Sequence, residues 1–325
     1  MTDTLAEAEP GTPAGGSGGS GESRESSEFR SGFVSLVGRP NVGKSTLVNC
    51  LVGQKVAIVS DRPQTTRSEI RGVRTTPTEQ VVFLDTPGIH RPRNALGERT
   101  NQRAIATLAS VDVVCLLVEA HATIGTGDRF IADLVHATST PAICVINKID
   151  RAARAQLVDA LSRLGDGALG DFDAFVPLSA ATGEGVDALV AEISARLEPG
   201  PHYYPEGTVT DQPESVFAAE LLREQLIASA RDELPHSIAV IVDDVEERVT
   251  KSGEALLALR AIVRVERESQ KGIVIGRGGE RLRAAGTATR RQLESLLGVR
   301  VHLDVMVRVD PDWQRHPHRL DRLGF

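Results

Sequence analysis

A chain of 325 residues is long for one domain and comfortable for two, each able to bury a core of its own. Apolar residues make up 41% and charged ones 25%, no apolar run approaches the ~18 residues of a spanning helix, and three cysteines (Cys50, Cys115, Cys144) lack paired or metal-like spacing; a membrane span and a disulfide scaffold are excluded. The net charge of −7 argues against a generic polyanion binder, yet residues 260–325 carry 14 Lys and Arg against 8 Asp and Glu, a surplus that suits either a nucleic-acid face or a solvated helix.

Residues 1–29 are rich in Gly, Ser, Glu, Thr and Pro and predict a disordered tail; they carry acidic groups where a signal peptide needs a basic start and an apolar centre. With the cysteines read as reduced core thiols, a cytoplasmic protein is expected. The first domain is set at residues 30–198. Phe33 to Val37 reads as a buried strand and runs directly into Gly38-Arg39-Pro40-Asn41-Val42-Gly43-Lys44-Ser45, a G-x-x-x-x-G-K-[ST] loop, with a helix through Leu47 to Val52 behind it. Glycines let successive backbone N–H groups point at phosphate oxygens, and the helix adds the positive end of its dipole. Lys44 is expected on the β- and γ-phosphates and Ser45 on magnesium.

Val56 to Val59 reads as the start of a short strand, followed by a polar segment from Ser60 to Arg67 without core periodicity, which reads as a surface loop or a nucleotide-sensing switch. Val81 to Leu84 is a second buried strand ending in Asp85-Thr86-Pro87-Gly88. A strand-end aspartate about forty residues after such a loop is where P-loop enzymes hold magnesium through water, and the Gly88 N–H can reach a γ-phosphate. Val113 to Val118 and Ala142 to Ile146 give two more strands, the latter ending in Asn147-Lys148-Ile149-Asp150. A carboxylate at Asp150 can accept from the ring N–H and the exocyclic amine of guanine, which adenine does not offer; a polar site left unpaired by the wrong base is disfavoured by roughly 10⁴. GTP and GDP are therefore the expected ligands. Phe175 to Leu178 leads to Ser179-Ala180-Ala181, whose backbone would back the base. Helices between these strands, Leu96 to Leu108, Gly127 to Ala137 and Gly185 to Leu197, predict an α/β fold with a doubly wound, mostly parallel sheet and the ligand beyond the carboxyl ends of its strands.

Order, spacing and loop sequences resemble the translation-factor-related P-loop GTPases, and more narrowly the Era family, on G-R-P-N-V-G-K-S, P-Q-T-T-R and D-T-P-G-I-H. The resemblance implies that Thr66, rather than Thr65, is the switch threonine closing on magnesium and the γ-phosphate. It also implies that Asn41 holds a potassium ion against the phosphates. Lys44, Thr66, Gly88 and Asn41 are then the catalytic set. Ile89 stands where many small GTPases carry a glutamine that orients the attacking water. Slow intrinsic hydrolysis is expected, near the ~10⁻⁴ s⁻¹ of unassisted small GTPases.

Residues 199–213, with four prolines between Pro199 and Pro213, read as a linker. The second domain is set at 214–314 and a C-terminal tail at 315–325. Ser215 to Leu234 reads as a helix, Ser237 to Val245 and Leu256 to Val265 as strands, and the apolar Ile273-Val274-Ile275 meets Gly276-Arg277-Gly278-Gly279. A helix follows with Leu282, Ala285, Thr289, Leu293 and Leu296 on one face, and Val299 to Val309 alternates as a strand. This αββααβ order with G-x-x-G resembles a smaller α+β type II KH domain. That likeness implies an RNA clamp of Gly276, Arg277, Gly278 and Gly279, supported by Ile273, Ile275, Arg281 and Arg283. P-E-S-V-F-A-A-E-L-L-R-E, E-L-P-H-S-I-A-V and K-G-I-V-I-G-R-G-G extend the Era-family resemblance from about Phe33 to Arg315. The family implies a monomeric GTPase bound to the 3′ end of 16S rRNA in maturation of the 30S subunit, with loose peripheral association to the inner membrane. The alternative is a signalling GTPase whose C-terminal domain docks a protein or the membrane.

Overall fold

The computed structural model describes residues 28–60, 66, 69–89, 95–229, 238–250, 252–311 and 313–315; apart from residues 28, 29 and 315, the expected tails lie outside these, as does most of the expected switch loop. Two sheets organise the chain. The first contains β1 (Arg30–Gly38), β2 (Ile70–Thr75), β3 (Glu79–Asp85), β4 (Val113–Glu119), β5 (Ala142–Asn147) and β6 (Ala174–Pro177) in the order β2-β3-β1-β4-β5-β6. Every pairing is parallel except that of β2 with β3. The central strands are apolar on both faces, so both must be covered. Val34, Leu36, Cys115, Leu117, Ile143 and Val145 pack under α1 (Lys44–Val52) and α5 (Val186–Ser194), while Val37, Val114, Leu116, Val118, Cys144 and Ile146 pack under α2 (Ala95–Leu108), α3 (Thr126–His136) and α4 (Arg154–Gly165). The cysteines are free, and burial pushes the thiols of Cys115 and Cys144 up to about 12.

The second sheet has the order β7 (Ala239–Val249), β8 (Ala255–Val265), β9 (Arg300–Val309), with β7 antiparallel and β9 parallel to β8. The helices α6 (Glu214–Ser229), α7 (Glu268–Ile275) and α8 (Glu280–Leu297) supply the rest of its core: Leu222, Leu226, Val274 and Ala285 meet Ala261, Val263 and Val265, and Leu221 and Leu293 meet Leu257, Leu259 and Val301.

The structure departs from the sequence reading in three places. Val56 to Val59 form no strand. The Asn49 side chain of α1 takes the place of a ladder, its Oδ1 accepting from the backbone N–H groups of Val56 and Ala57 at 2.9 Å each and its Nδ2 donating to the Ala57 carbonyl at 2.8 Å. Ile58 is then buried among Ala218, Leu221 and Leu257 of the second domain, and the Val59 N–H donates to Glu224 of α6 at 2.9 Å. The strand β2 and the helix α4 were not anticipated. Residues 199–213 are laid along the first sheet: Gln80 bonds the backbone of Tyr203 and Tyr204 at 2.7–3.0 Å, and the Val73 N–H donates to the Val209 carbonyl at 2.9 Å. On the far face of the second sheet, Ala239 and Ile241 pack with Trp313 against Leu96 of α2.

Candidate functional site

The loops following β1, β3, β5 and β6 converge on a cavity of about 560 Å³, lined by Pro40, Asn41, Gly43, Lys44, Ser45, Thr66, Gly88, Asn147, Lys148, Asp150 and Ala180 among others. The helix α1 starts directly at Lys44, after Gly43 in a left-handed conformation (φ 102°) and without a side-chain cap, so its first N–H groups are left for a ligand. A Cβ on Gly43 would lie 2.3 Å from Asn147 Nδ2, and one on Gly88 would lie 2.8 Å from the Pro40 nitrogen. Glycine is required at both positions by close approach of neighbouring loops.

Lys44 is only 6% exposed, and its Nζ donates to the carbonyls of Gly38 and Arg39 at 3.2 and 3.1 Å. Burial lowers its pKa to about 8, against the opposing pull of Asp85. Asp85 is fully buried, and burial pushes its carboxyl up while Lys44, Ser45 and Thr66 hold it down. Ser45 Oγ donates to Asp85 Oδ2 at 2.6 Å, Thr66 Oγ1 donates to the same oxygen at 3.1 Å, and the two hydroxyls are 2.9 Å apart. Asp85 Oδ1 is buried with no hydrogen-bond partner among the described residues. Two hydroxyls gathered on a carboxylate whose other oxygen has no partner make a set of hard oxygen donors that fits a magnesium ion. The three residues the sequence assigned to the metal are brought together; Thr65 lies outside the described residues.

On the base side, Asn147 spends its amide on scaffolding. Its Nδ2 donates to the Val42 carbonyl at 2.7 Å, and its Oδ1 accepts from the N–H groups of Lys148 and Ala180 at 2.8 and 3.0 Å. Asp150 Oδ1 accepts from Ser179 Oγ at 2.6 Å, which aims the carboxylate into the cavity it lines. Thr86 bonds the Leu36 carbonyl at 2.7 Å and shapes the loop from behind. Ile149 donates its N–H to the Leu178 carbonyl, and the Ile89 side chain is buried in the sheet core at 2% exposure. Arg39, also expected at the nucleotide, has its guanidinium paired with Asp128 at 2.9 Å, which leaves only its backbone to the phosphate loop. Sequence reasoning missed Ile58, Val59 and Arg151 as cavity residues; the apolar run 56–59 was the available signal, and it read as a strand.

In the second domain, Gly276 (φ 75°, ψ 175°), Gly278 (φ 58°) and Gly279 (φ 79°) form the turn between α7 and α8. A Cβ on Gly276 would lie 2.8 Å from the Arg281 side chain, whereas Gly278 faces open space. Arg277, Arg281 and Arg283 are exposed around this turn; Arg281 reaches the Ile273 carbonyl at 3.3 Å and Arg283 the Gly278 carbonyl at 3.4 Å. Ile273 is 42% exposed and Ile275 half-buried, with Val274 between them in the core. Beside the turn runs a groove of about 340 Å³ lined by Leu282, Arg283, Gly286, Thr287 and Arg290 of α8 and by Leu303 and Val305 of β9. Its β9 wall escaped the sequence reading, because those valines and leucines alternate as any half-buried strand does.

Residues 33–148 match the 50S ribosome-binding GTPase family and residues 233–314 the KH domain family. The chain is 51% identical over 305 residues to the GTPase Era of Mycobacterium avium (strain 104), covering 92% of this chain and 100% of the relative, and 49% identical over 302 residues to that of Mycobacterium tuberculosis (strain ATCC 25177 / H37Ra), with the same coverage. A single-substitution variant of Aquifex aeolicus Era bound to GDP·AlF4⁻ superposes with a TM-score of 0.86 at 35% identity, and Era in complex with MgGDPNP and nucleotides 1506–1542 of 16S ribosomal RNA with 0.85 at 36%; each covers 91% of this chain and 99% of the solved one. With about half of its residues shared across nearly its whole length, this chain belongs to the Era family of GTPases.

Proposed function

We propose that this chain binds GTP, hydrolyses it slowly, and holds the 3′ end of 16S rRNA in a nucleotide-dependent way during maturation of the 30S subunit. The observation that carries the reading is the full-length likeness to an Era solved with both MgGDPNP and a 16S rRNA segment. In this reading the uncapped start of α1 and the Lys44 ammonium receive the β- and γ-phosphates, and Asp150 reads the guanine edge. Ser45, Thr66 and Asp85 would hold magnesium, which supplies positive charge against the phosphate oxygens when bound. The Gly88 N–H would reach the γ-phosphate, and Asn41, at the cavity wall, would hold the proposed potassium ion.

The Ile89 side chain is turned into the core and cannot orient water, which supports a low intrinsic rate. At the other end, the turn 276–279 brings the start of α8 and exposed arginines to an RNA backbone, and the adjoining groove takes unpaired bases. Few aromatic side chains are available for stacking, so hydrogen bonding and shape would carry the recognition.

The test measures GTP turnover by the full chain with and without a single-stranded oligonucleotide copying the 3′ end of 16S rRNA, in potassium and then in sodium. RNA capture is measured in parallel for the parent and a Gly276→Asp/Gly279→Asp variant. Turnover near ~10⁻⁴ s⁻¹ that rises with the oligonucleotide and with potassium is expected, together with loss of capture in the variant. Equal capture by both forms would remove the RNA reading, and equal rates in the two salts would remove the potassium.

A further inference from the structure

Glu119 is the last residue of β4 and belongs to none of the motifs that line the pocket. Its partner across the sheet is Asn147, so its carboxylate, only 18% exposed, stands beside Lys148 at the end of β5. Lys148 Nζ is bonded to Glu119 Oε1 and also donates to the Asn41 carbonyl at 2.6 Å. The other Glu119 oxygen has His121 Nε2 at 3.6 Å. Asn41 (φ 67°) and Lys148 (φ 66°) are the two positive-φ residues other than glycine among those described. Both ends of the lysine bridge therefore sit in a left-handed conformation that needs outside support.

Position gives the bridge its meaning. Lys148 lines the cavity between Asp150, on the base side, and Asn41, on the phosphate side. An ammonium on a flexible stem has other anions to seek once phosphates enter. With a carboxylate and a carbonyl holding the ammonium, its four-carbon stem stays stretched from β5 to the phosphate loop and makes a fixed wall beside the base. We propose that Glu119 is a positioning residue for guanine-nucleotide binding, fixing Lys148 as that wall and tying the base side of the pocket to Asn41. The inference rests on the reading of this cavity as a guanine-nucleotide site. Asp128 offers an internal contrast: it braces the same loop through Arg39, whose side chain lies outside the cavity lining.

The test titrates fluorescent GDP and fluorescent IDP into the nucleotide-free full chain as parent, E119Q and E119D, and fluorescent ADP into the parent. E119Q is expected to raise both Kd values about tenfold, as loss of one charged hydrogen-bond partner implies. The GDP-to-IDP ratio stays unchanged, because the edge read by Asp150 is untouched. E119D, which keeps the charge within reach of the lysine, recovers most of the loss, and the melting midpoint of nucleotide-free E119Q stays within about 1 °C of the parent. A Kd within twofold of the parent for E119Q overturns the proposal. So does a loss that E119D fails to recover or that comes with a lowered melting midpoint, since either marks a structural ion pair. A parent that binds ADP as tightly as GDP would overturn the guanine reading beneath it.

Discussion

The two functional faces of this molecule treat polar groups in opposite ways. In the nucleotide pocket Lys44, Thr66, Asp85, Asn147 and Ser179 are all buried and bonded to one another or to loop backbone. At the turn 276–279 the charged groups stand in solvent, and the described bonds from Arg281 and Arg283 are long ones to backbone carbonyls. The difference suits the ligands proposed for the two sites. A nucleotide is small, and its phosphates must be desolvated by groups already in place before it arrives. An RNA strand is long and binds by adding many modest contacts to an open, basic surface. Single substitutions in the pocket should therefore be severe and largely insensitive to salt, whereas those at the turn should be graded and salt-dependent.

Lys44→Ala is the most direct way to break that comparison. It removes a preorganised cation from the phosphate site and leaves Asp85 buried without its neighbouring charge. Turnover of GTP should fall by roughly 10²–10³, while RNA capture by the nucleotide-free protein is unchanged. Comparable losses in both assays would mean that the pocket and the turn form one cooperative unit.

Ile89→Gln asks whether a water-orienting amide can be installed where small GTPases carry one. The Ile89 side chain packs with Val37, Leu84 and Leu116 in the sheet core, so the amide would be buried away from the phosphates. The variant should lose about 2 kcal/mol in denaturant unfolding and gain no turnover. A variant that hydrolyses GTP faster than the parent would place position 89 in the active site after all.

These contrasts also show how far the sequence could be read. Loops whose chemistry is local, 38–45, 85–88, 147–150 and 276–279, stand out because a phosphate, a metal, a guanine edge or a left-handed turn each demands particular residues at fixed spacing. β2 was missed because IRGVRT lies at an edge, with Arg71 exposed and no continuous apolar run to mark it. α4 was missed because among its twelve residues Leu164 is the one buried. Val56 to Val59 misled because their apolar character serves a contact with residues some 160 positions later, namely Leu221 and Glu224. Glu119 works through the side chain of Lys148 on another loop and Asn49 through the backbone of Val56 and Ala57, and neither carries a sequence signature of its own.

Arg277→Ala sharpens the comparison from the RNA side. Its guanidinium is exposed at the apex of the glycine turn, so it should contribute one phosphate contact among several. RNA affinity is expected to fall about fivefold, with the slope of log K against log salt reduced by about 1, and GDP affinity unchanged. A loss that does not depend on salt would point to base recognition by this arginine.

The smallest expected effect comes from the proton on Lys44. In the nucleotide-free protein burial lowers its pKa from 10.5 to about 8, whereas bound phosphates hold the ammonium charged. Well below pH 8 both states carry the proton, and affinity for GDP is flat with respect to this group. Above it the free protein has lost a proton that binding must restore, so affinity falls as pH rises. Between about pH 7.5 and about pH 8.5 the GDP Kd should rise about threefold, with a limiting slope of tenfold per unit above that range. Lys44→Arg, whose guanidinium stays charged throughout, removes the dependence even where it weakens binding. RNA capture over the same interval is expected to stay level, because the turn carries arginines and no group that titrates there. A GDP Kd that is flat to pH 9 would mean that the phosphate loop keeps its lysine charged even when empty.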